Sequence, residues 1–293
     1  MHRVFYRSSS RTSRGRTAIK MNVVKTKNIG FCFGVKRAIK MVLKAAEETG
    51  GKVFTIGPII HNPQMVELLK EKGVIPVDDV YQVRDGTVVF RTHGIKKEEE
   101  EYIRSTGLKA IDTTCPFVKR VRKHAKNLEK SGYQVVIVGD RNHPEVKSVL
   151  SYLNNDGIVL QEPTTLTAKK VGVVSQTTLD KDTFVEIVKE LIAGVEELRI
   201  YNTICESTQI RQNEAIELSG EVDMMLVVGG KNSSNCTKLY KVVHKVQPKT
   251  HHIETVEDLR PEWFENVARV GLTGGASTPD LIIDIVEGRV KNF

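Results

Sequence analysis

The chain has 293 residues, 40% hydrophobic and 27% charged, which fits a globular protein and excludes disordered and collagen-like classes. No apolar run approaches the roughly 18 residues of a spanning helix, which argues against a membrane protein. The net charge of +8 is local: residues 1–20 hold six basic residues and no acid, and the rest carries 38 basic against 36 acidic residues, so nucleic acid is not an expected partner.

The segment 1–20, Arg-rich, Ser-rich and acid-free, has the composition of an organellar transit peptide and lacks the apolar centre of a secretory signal. The favoured reading is an added leader outside the fold, because Met21 opens a clean strand at Val23 and Val24. The expected compartment is the cytoplasm, or a plastid-type organelle if the segment is a true transit peptide. Four cysteines, Cys32, Cys115, Cys205 and Cys236, lie far apart with no secretory signal. Such spacing favours reduced, metal-binding or catalytic thiols over a disulfide framework.

From Met21 onward one pattern turns three times. A short strand ends at Cys32, at Cys115 and at Cys205, and each cysteine opens a helical stripe. The first stripe is Val35, Ala38, Ile39, Val42, Leu43 and Ala46, and the second is Val118, Val121, Ala125 and Leu128. The third, Ile210, Ala215 and Leu218, is weaker and has a polar start. Each helix stops at a glycine signal, and a β-rich strand then ends at Gly57, Gly139 or Gly229. Four residues further sit His61, His143 and Ser233, at intervals of 29, 28 and 28 residues from their cysteines. A further strand in each unit ends in polar residues, namely Thr92 and His93, Thr177 and Thr178, and Ser277 and Thr278.

Alternating strands and helices predict an α/β fold of parallel sheets. The expected units are 21–105, 106–195 and 196–280, with 281–293 as a C-terminal tail. In such sheets ligands bind beyond the carboxyl ends of the strands, where every residue named above falls. Three similar units meeting around a centre would gather Cys32, Cys115 and Cys205, with His61, His93, His143, Thr177, Ser233 and Ser277 around them. Three thiolates can hold zinc or an iron–sulfur cluster, and a cluster with only three cysteines keeps one iron open. Cys236 breaks the register and reads as structural, and His124, His244, His251 and His252 lie outside it.

Glu145 follows His143 across Pro144 at a helix start, where a buried carboxyl can act as a proton donor. The stretches Lys231–Asn235 and Gly274–Pro279 read as loops leading into helix N-termini, suited to an anionic group. Neither is a Walker loop, and no G-x-G-x-x-G follows a strand.

Together these residues resemble the 4-hydroxy-3-methylbut-2-enyl diphosphate reductases, which perform the last step of the non-mevalonate isoprenoid pathway. The matching stretches are GFCFGVKRAI around Cys32, IHN, RTHG, DTTCPFV, HPEV, SQTT, NTIC, KNSSN and GASTPD, spanning residues 30–280. The resemblance implies a trefoil of three α/β domains around a central [4Fe–4S] cluster held by Cys32, Cys115 and Cys205, with the fourth iron open to substrate. It implies that His61, His93, His143, Ser233, Ser234, Asn235 and Ser277 hold the diphosphate. Glu145 would deliver protons, and Thr177 would position the substrate hydroxyl or a water beside it. With no nicotinamide or flavin motif evident, a ferredoxin or flavodoxin is the expected electron donor, and a monomer the expected state. The alternatives are a structural zinc protein with an anion-binding face and a non-catalytic phosphate sensor. Lys36, one turn after Cys32, has no role fixed by the resemblance.

Overall fold

The computed structural model describes residues 21–50 and 52–293, so the basic segment 1–20 lies outside the described residues. The strands are β1 (Asn22–Lys25), β2 (Val53–Ile56), β3 (Val74–Val77), β4 (Thr87–Phe90), β5 (Lys109–Asp112), β6 (Gln134–Val138), β7 (Ile158–Leu160), β8 (Ala168–Ser175), β9 (Val195–Ile200), β10 (Met224–Val228), β11 (Thr250–Ile253) and β12 (Arg269–Gly274). The helices are α1 (Phe33–Thr49), α2 (Pro63–Glu71), α3 (Lys97–Thr106), α4 (Pro116–Lys130), α5 (Pro144–Ser151), α6 (Lys181–Ile192), α7 (Glu206–Ser219), α8 (Ser234–Val246) and α9 (Asp280–Val290). None of these helices is long and apolar enough to cross a membrane.

Three four-stranded sheets form, with orders β3-β2-β4-β5, β7-β6-β8-β9 and β11-β10-β12-β1. Every pairing is parallel. The three orders are one topology repeated. The central strands are mostly apolar because helices cover both faces, and β10 (MMLVV) is buried along its whole length.

The fourth strand of each sheet leads straight to a cysteine: β5 to Cys115, β9 to Cys205 and β1 to Cys32. The sheets are therefore offset from the repeat as read along the chain. β5 pairs with β4, and β1 pairs with β12 in the register Asn22 to Arg269, so the N-terminal strand completes the last sheet. Most of the segment 281–293, expected as a tail, forms α9. That helix occupies the position of α3 and α6 in the other two units.

The stripes pack as their spacing predicts. Ala38, Val42 and Ala45 of α1 bury against Val53, Val74 and Val89, and Val121, Ala125 and Leu128 of α4 against Val135, Ile137 and Val174. Each valine and leucine among them contributes about 1.5–3 kcal/mol of transfer free energy, and each alanine methyl about 0.8 kcal/mol. On the opposite faces Ile103 of α3, Ile187 and Leu191 of α6, and Ile283, Val286 and Val290 of α9 do the same work. The stripe expected on α7 is only partly right. Ala215 and Leu218 are buried, but Ile210 faces solvent, and the buried positions nearer the helix start are Thr208, Arg211 and Gln212. Arg211 fills its side of the helix by donating to the carbonyls of Asn28 (2.5 Å) and Gly274 (3.5 Å), which ties α7 to the β1 end of the last sheet.

Candidate functional site

The carboxyl ends of all three sheets face one open cavity. Cys32, Cys115 and Cys205 line it, as do His61, His93 and His143. Glu145, Thr177, Ser233, Ser234, Asn235 and Ser277 complete the wall. Every site residue expected from the sequence therefore lies on a single surface.

Each cysteine is the N-cap residue of its helix and makes no side-chain capping bond. Its backbone N–H is anchored in the same way three times, to the carbonyl of Ala276 from Cys32 (3.1 Å), of Thr92 from Cys115 (3.0 Å) and of Thr177 from Cys205 (2.9 Å). The symmetry thus equates Thr92 and Thr177 with Ala276, so His93 and Thr178 correspond to Ser277. A Cβ placed on Gly34 would lie 2.9 Å from the Cys115 sulfur and 3.8 Å from that of Cys32, so glycine here lets two sulfurs approach one point of the backbone.

The thiols suit a thiophilic cation. Burial pushes Cys115 up to about 11, against backbone N–H donors from Phe117 and Val118 that favour the thiolate, and the neighbouring Cys32 and Cys205 raise it further. Cys205 is raised by burial in the same way. Three half-buried thiols gathered in one cavity wall form a donor set that a positive centre converts to thiolates. Cys236 is not among them: its sulfur is fully buried, and a Cβ on Gly275 would meet it at 2.0 Å. It packs between loops and does not line the cavity, in keeping with its structural reading.

The second group is the histidines. His61 and His93 have ring centroids 4.8 Å apart, His93 and His143 5.3 Å, and one ring nitrogen from each of the three lies within 4.8 Å of the others. Burial lowers the pKa of all three, and their mutual charges add for His93 and His143; Arg91 lowers each as well. His143 is brought down to about 3. The rings are therefore neutral hydrogen-bonding groups at neutral pH. Nδ1 of His143 accepts from the Glu145 N–H (3.2 Å), which assigns the proton to Nε2. Asn62, His143 and Ser233 are the N-caps of α2, α5 and α8, so His61 sits one residue ahead of its equivalents.

Opposite them, Ser233 and Ser277 share a hydrogen bond of 3.3 Å. The Asn235 side-chain nitrogen, buried in the cavity wall, has no partner among the described residues. An orphaned donor beside two hydroxyls and three neutral imidazoles is the outline of an absent acceptor-rich ligand. Gln176 was not singled out from the sequence. Its amide donates to Thr178 (2.8 Å) and Ser234 (3.2 Å) and accepts from the Asp140 N–H (3.0 Å), so it fixes this wall from behind. The signal was present in SQTT, but its polarity there resembled that of its neighbours.

Glu145 is 1% exposed. It accepts from the Thr177 N–H at 2.7 Å and from the Thr177 hydroxyl at 2.6 Å. Burial raises its pKa, partly offset by these bonds and by Lys238. The carboxyl is thereby poised to hold a proton at the cavity wall.

The LytB protein family model matches residues 23–291. A 4-hydroxy-3-methylbut-2-enyl diphosphate reductase of Aquifex aeolicus (strain VF5) is 46% identical over 280 residues, 93% of this chain and 97% of its own. The enzyme of the same name from Geobacter metallireducens is 45% identical over 277 residues, 93% of this chain and 98% of its own. Among solved structures, an (E)-4-hydroxy-3-methyl-but-2-enyl diphosphate reductase, the terminal enzyme of the non-mevalonate pathway, superposes with a TM-score of 0.69 at 45% identity, covering 93% of this chain and all of that one. The reductase of Plasmodium falciparum gives 0.85 at 27% identity, covering 90% and 86%. With its three parallel sheets, a cavity onto which all three open and these relatives along nearly its whole described length, the chain belongs to the LytB family of 4-hydroxy-3-methylbut-2-enyl diphosphate reductases.

Proposed function

We propose that the chain reduces 4-hydroxy-3-methylbut-2-enyl diphosphate to isopentenyl and dimethylallyl diphosphate. Two electrons and two protons enter, the allylic C–O bond breaks, and the hydroxyl leaves as water. The observation that carries this reading is the convergence of three thiols, three neutral imidazoles and one buried carboxyl of raised pKa on one cavity. Cys32, Cys115 and Cys205 fit a [4Fe–4S] cluster, which when bound supplies single electrons and a Lewis-acid position at the iron without a protein ligand.

The chain's own residues do the rest. His61, His93, His143, Ser233, Ser234, Asn235 and Ser277 bind the diphosphate and anchor the substrate away from the reacting carbon. Thr177 lines the cavity beside Glu145: its hydroxyl, which donates to the carboxylate, turns to accept when the carboxyl is protonated and passes its own proton to the departing oxygen. The three sheets exclude bulk water around the resulting allylic fragment, which a second proton quenches. We further propose that a ferredoxin or flavodoxin supplies the electrons, that the chain works as a monomer, and that it works in the cytoplasm, as fits its bacterial relatives.

The test is iron, sulfide and zinc analysis of protein purified without oxygen, followed by turnover with reduced methyl viologen. About four irons and four sulfides per chain are expected. Glu145→Gln should keep that content and lose turnover by about a hundredfold or more. Stoichiometric zinc without sulfide, even after anaerobic reconstitution, would instead make the thiols a structural site.

A further inference from the structure

We propose that the outer faces of α1 and α4 form a docking surface for a small acidic electron-carrier protein; this rests on the reductase reading. The charge distribution points to it. Residues 33–46 of α1 and 116–128 of α4 hold nine lysines and arginines and no carboxylate, whereas the rest of residues 21–293 carries 29 basic against 36 acidic residues. The basic face therefore stands on an otherwise acidic body.

The threefold repeat supplies its own control. α7 begins at the third cysteine and occupies the same position, yet it holds three glutamates and one arginine. A helix in this place does not need cations to fold. Cations near a helix N-terminus also oppose the macrodipole, a cost of a few tenths of a kcal/mol each at exposed positions. Local stability accordingly gives no reason for them. Among the nine, Lys44, Lys119 and Arg122 meet carboxylates, while Lys36, Lys40, Arg120 and Lys123 form no ion pair among the described residues.

The face adjoins the thiols. The backbone N–H groups of Lys36 and Lys119 bond to the carbonyls of Cys32 (2.9 Å) and Cys115 (3.0 Å), one turn away. Arg37 of α1 reaches the carbonyls of Thr113 and Thr114 just ahead of α4 (3.5 Å each), which makes the two helix starts one surface. Phe33, directly after Cys32, is 69% exposed. An exposed aromatic ring at the head of a helix that carries unpaired cations, next to a cysteine of the proposed redox site, has the anatomy of a transient interface. Its small apolar centre makes contact, and its charges steer an oppositely charged partner.

The experiment compares two electron sources on the full chain, purified anaerobically. With a small acidic ferredoxin as donor, Lys36→Glu/Lys40→Glu and, separately, Arg120→Glu/Lys123→Glu should each lower kcat/KM by about tenfold or more. The wild-type rate should fall with added salt, and the variants' dependence should flatten. Turnover with reduced methyl viologen should stay at the wild-type level. Unchanged ferredoxin kinetics in both variants would overturn the proposal, and so would equal losses with both donors in both variants. If the wild type shows no turnover with viologen, the reductase reading fails by itself. Docking is then judged by titrating oxidised ferredoxin: binding lost in the variants sustains it, and no wild-type binding overturns it. A change in oligomeric state on charge reversal would make the face a self-interface and end the proposal.

Discussion

Three imidazoles held neutral around one cavity tie anion binding to acid stability. His61, His93 and His143 have folded pKa values below the unfolded value near 6.5, chiefly through burial. Each binds fewer protons folded than unfolded in that window. Stability is therefore fully present above about pH 6.5 and is lost as pH falls through the folded values, for His143 on the order of 1.4 kcal/mol per pH unit down to about 3. Glu145 shifts the opposite way, because its raised pKa means that it binds more protons when folded. The histidines are separated from it by substitution. Denaturation from pH 7 to 5 should show a steep loss in the wild type and a shallower one in His61→Asn/His93→Asn/His143→Asn. Inorganic pyrophosphate should flatten the wild-type loss, since a bound anion raises the folded pKa values. The same pyrophosphate effect in the triple variant would refute the assignment of these rings to the anion.

At the scale of the helices, what could be read depended on whether a residue buries carbon or polar atoms. The stripes of α1 and α4 were legible because alanine, valine and leucine recur at helical spacing and bury on their sheets. On α7 the buried face includes Thr208, Arg211 and Gln212, and hydropathy points it outward. Arg211 is satisfied by carbonyls of Asn28 and Gly274, 183 and 63 residues away, and no local pattern announces such partners. Gly34 gives a prediction at this scale. Gly34→Ala favours helix by about 1 kcal/mol, yet its methyl would press on the Cys115 sulfur at 2.9 Å. The variant should keep its thermal stability without metal and release iron to a chelator on the order of tenfold faster or more. Gly288→Ala on α9, where nothing lies within 4 Å of the added carbon, should stabilise without changing iron release. Equal iron release from Gly34→Ala and wild type would show that the sulfurs tolerate the displacement.

The whole molecule is a ring of three repeats opened at one link. Gly107 and Leu108 join α3 to β5, and Ala193 and Gly194 join α6 to β9; among the described residues α9 and β1 have no such link, being the last and first elements. Periodicity revealed the three turns, since each repeats the same local signals, but not this closure. Asn22 pairs with Arg269 across almost the entire chain, and a strand of four residues leaves no trace of its distant partner. The first and last described residues of the fold lie together: Met21 shares a core cluster with Phe264, and the ring of Phe264 stacks on Phe293 at 4.5 Å. A circular permutant follows, with residue 293 joined to 21 and new ends opened between Gly107 and Leu108, where the glycine has open space around it. β5 would then begin the chain as β1 now does, and each sheet would keep its order. The permutant should fold with all three thiols reactive as a set and should lose no more than about 1–2 kcal/mol in denaturant, because exposed link positions tolerate new termini. Failure to fold, with a control permutant opened inside β8 failing no worse, would show that the three links are not equivalent and that the threefold relation stops at topology.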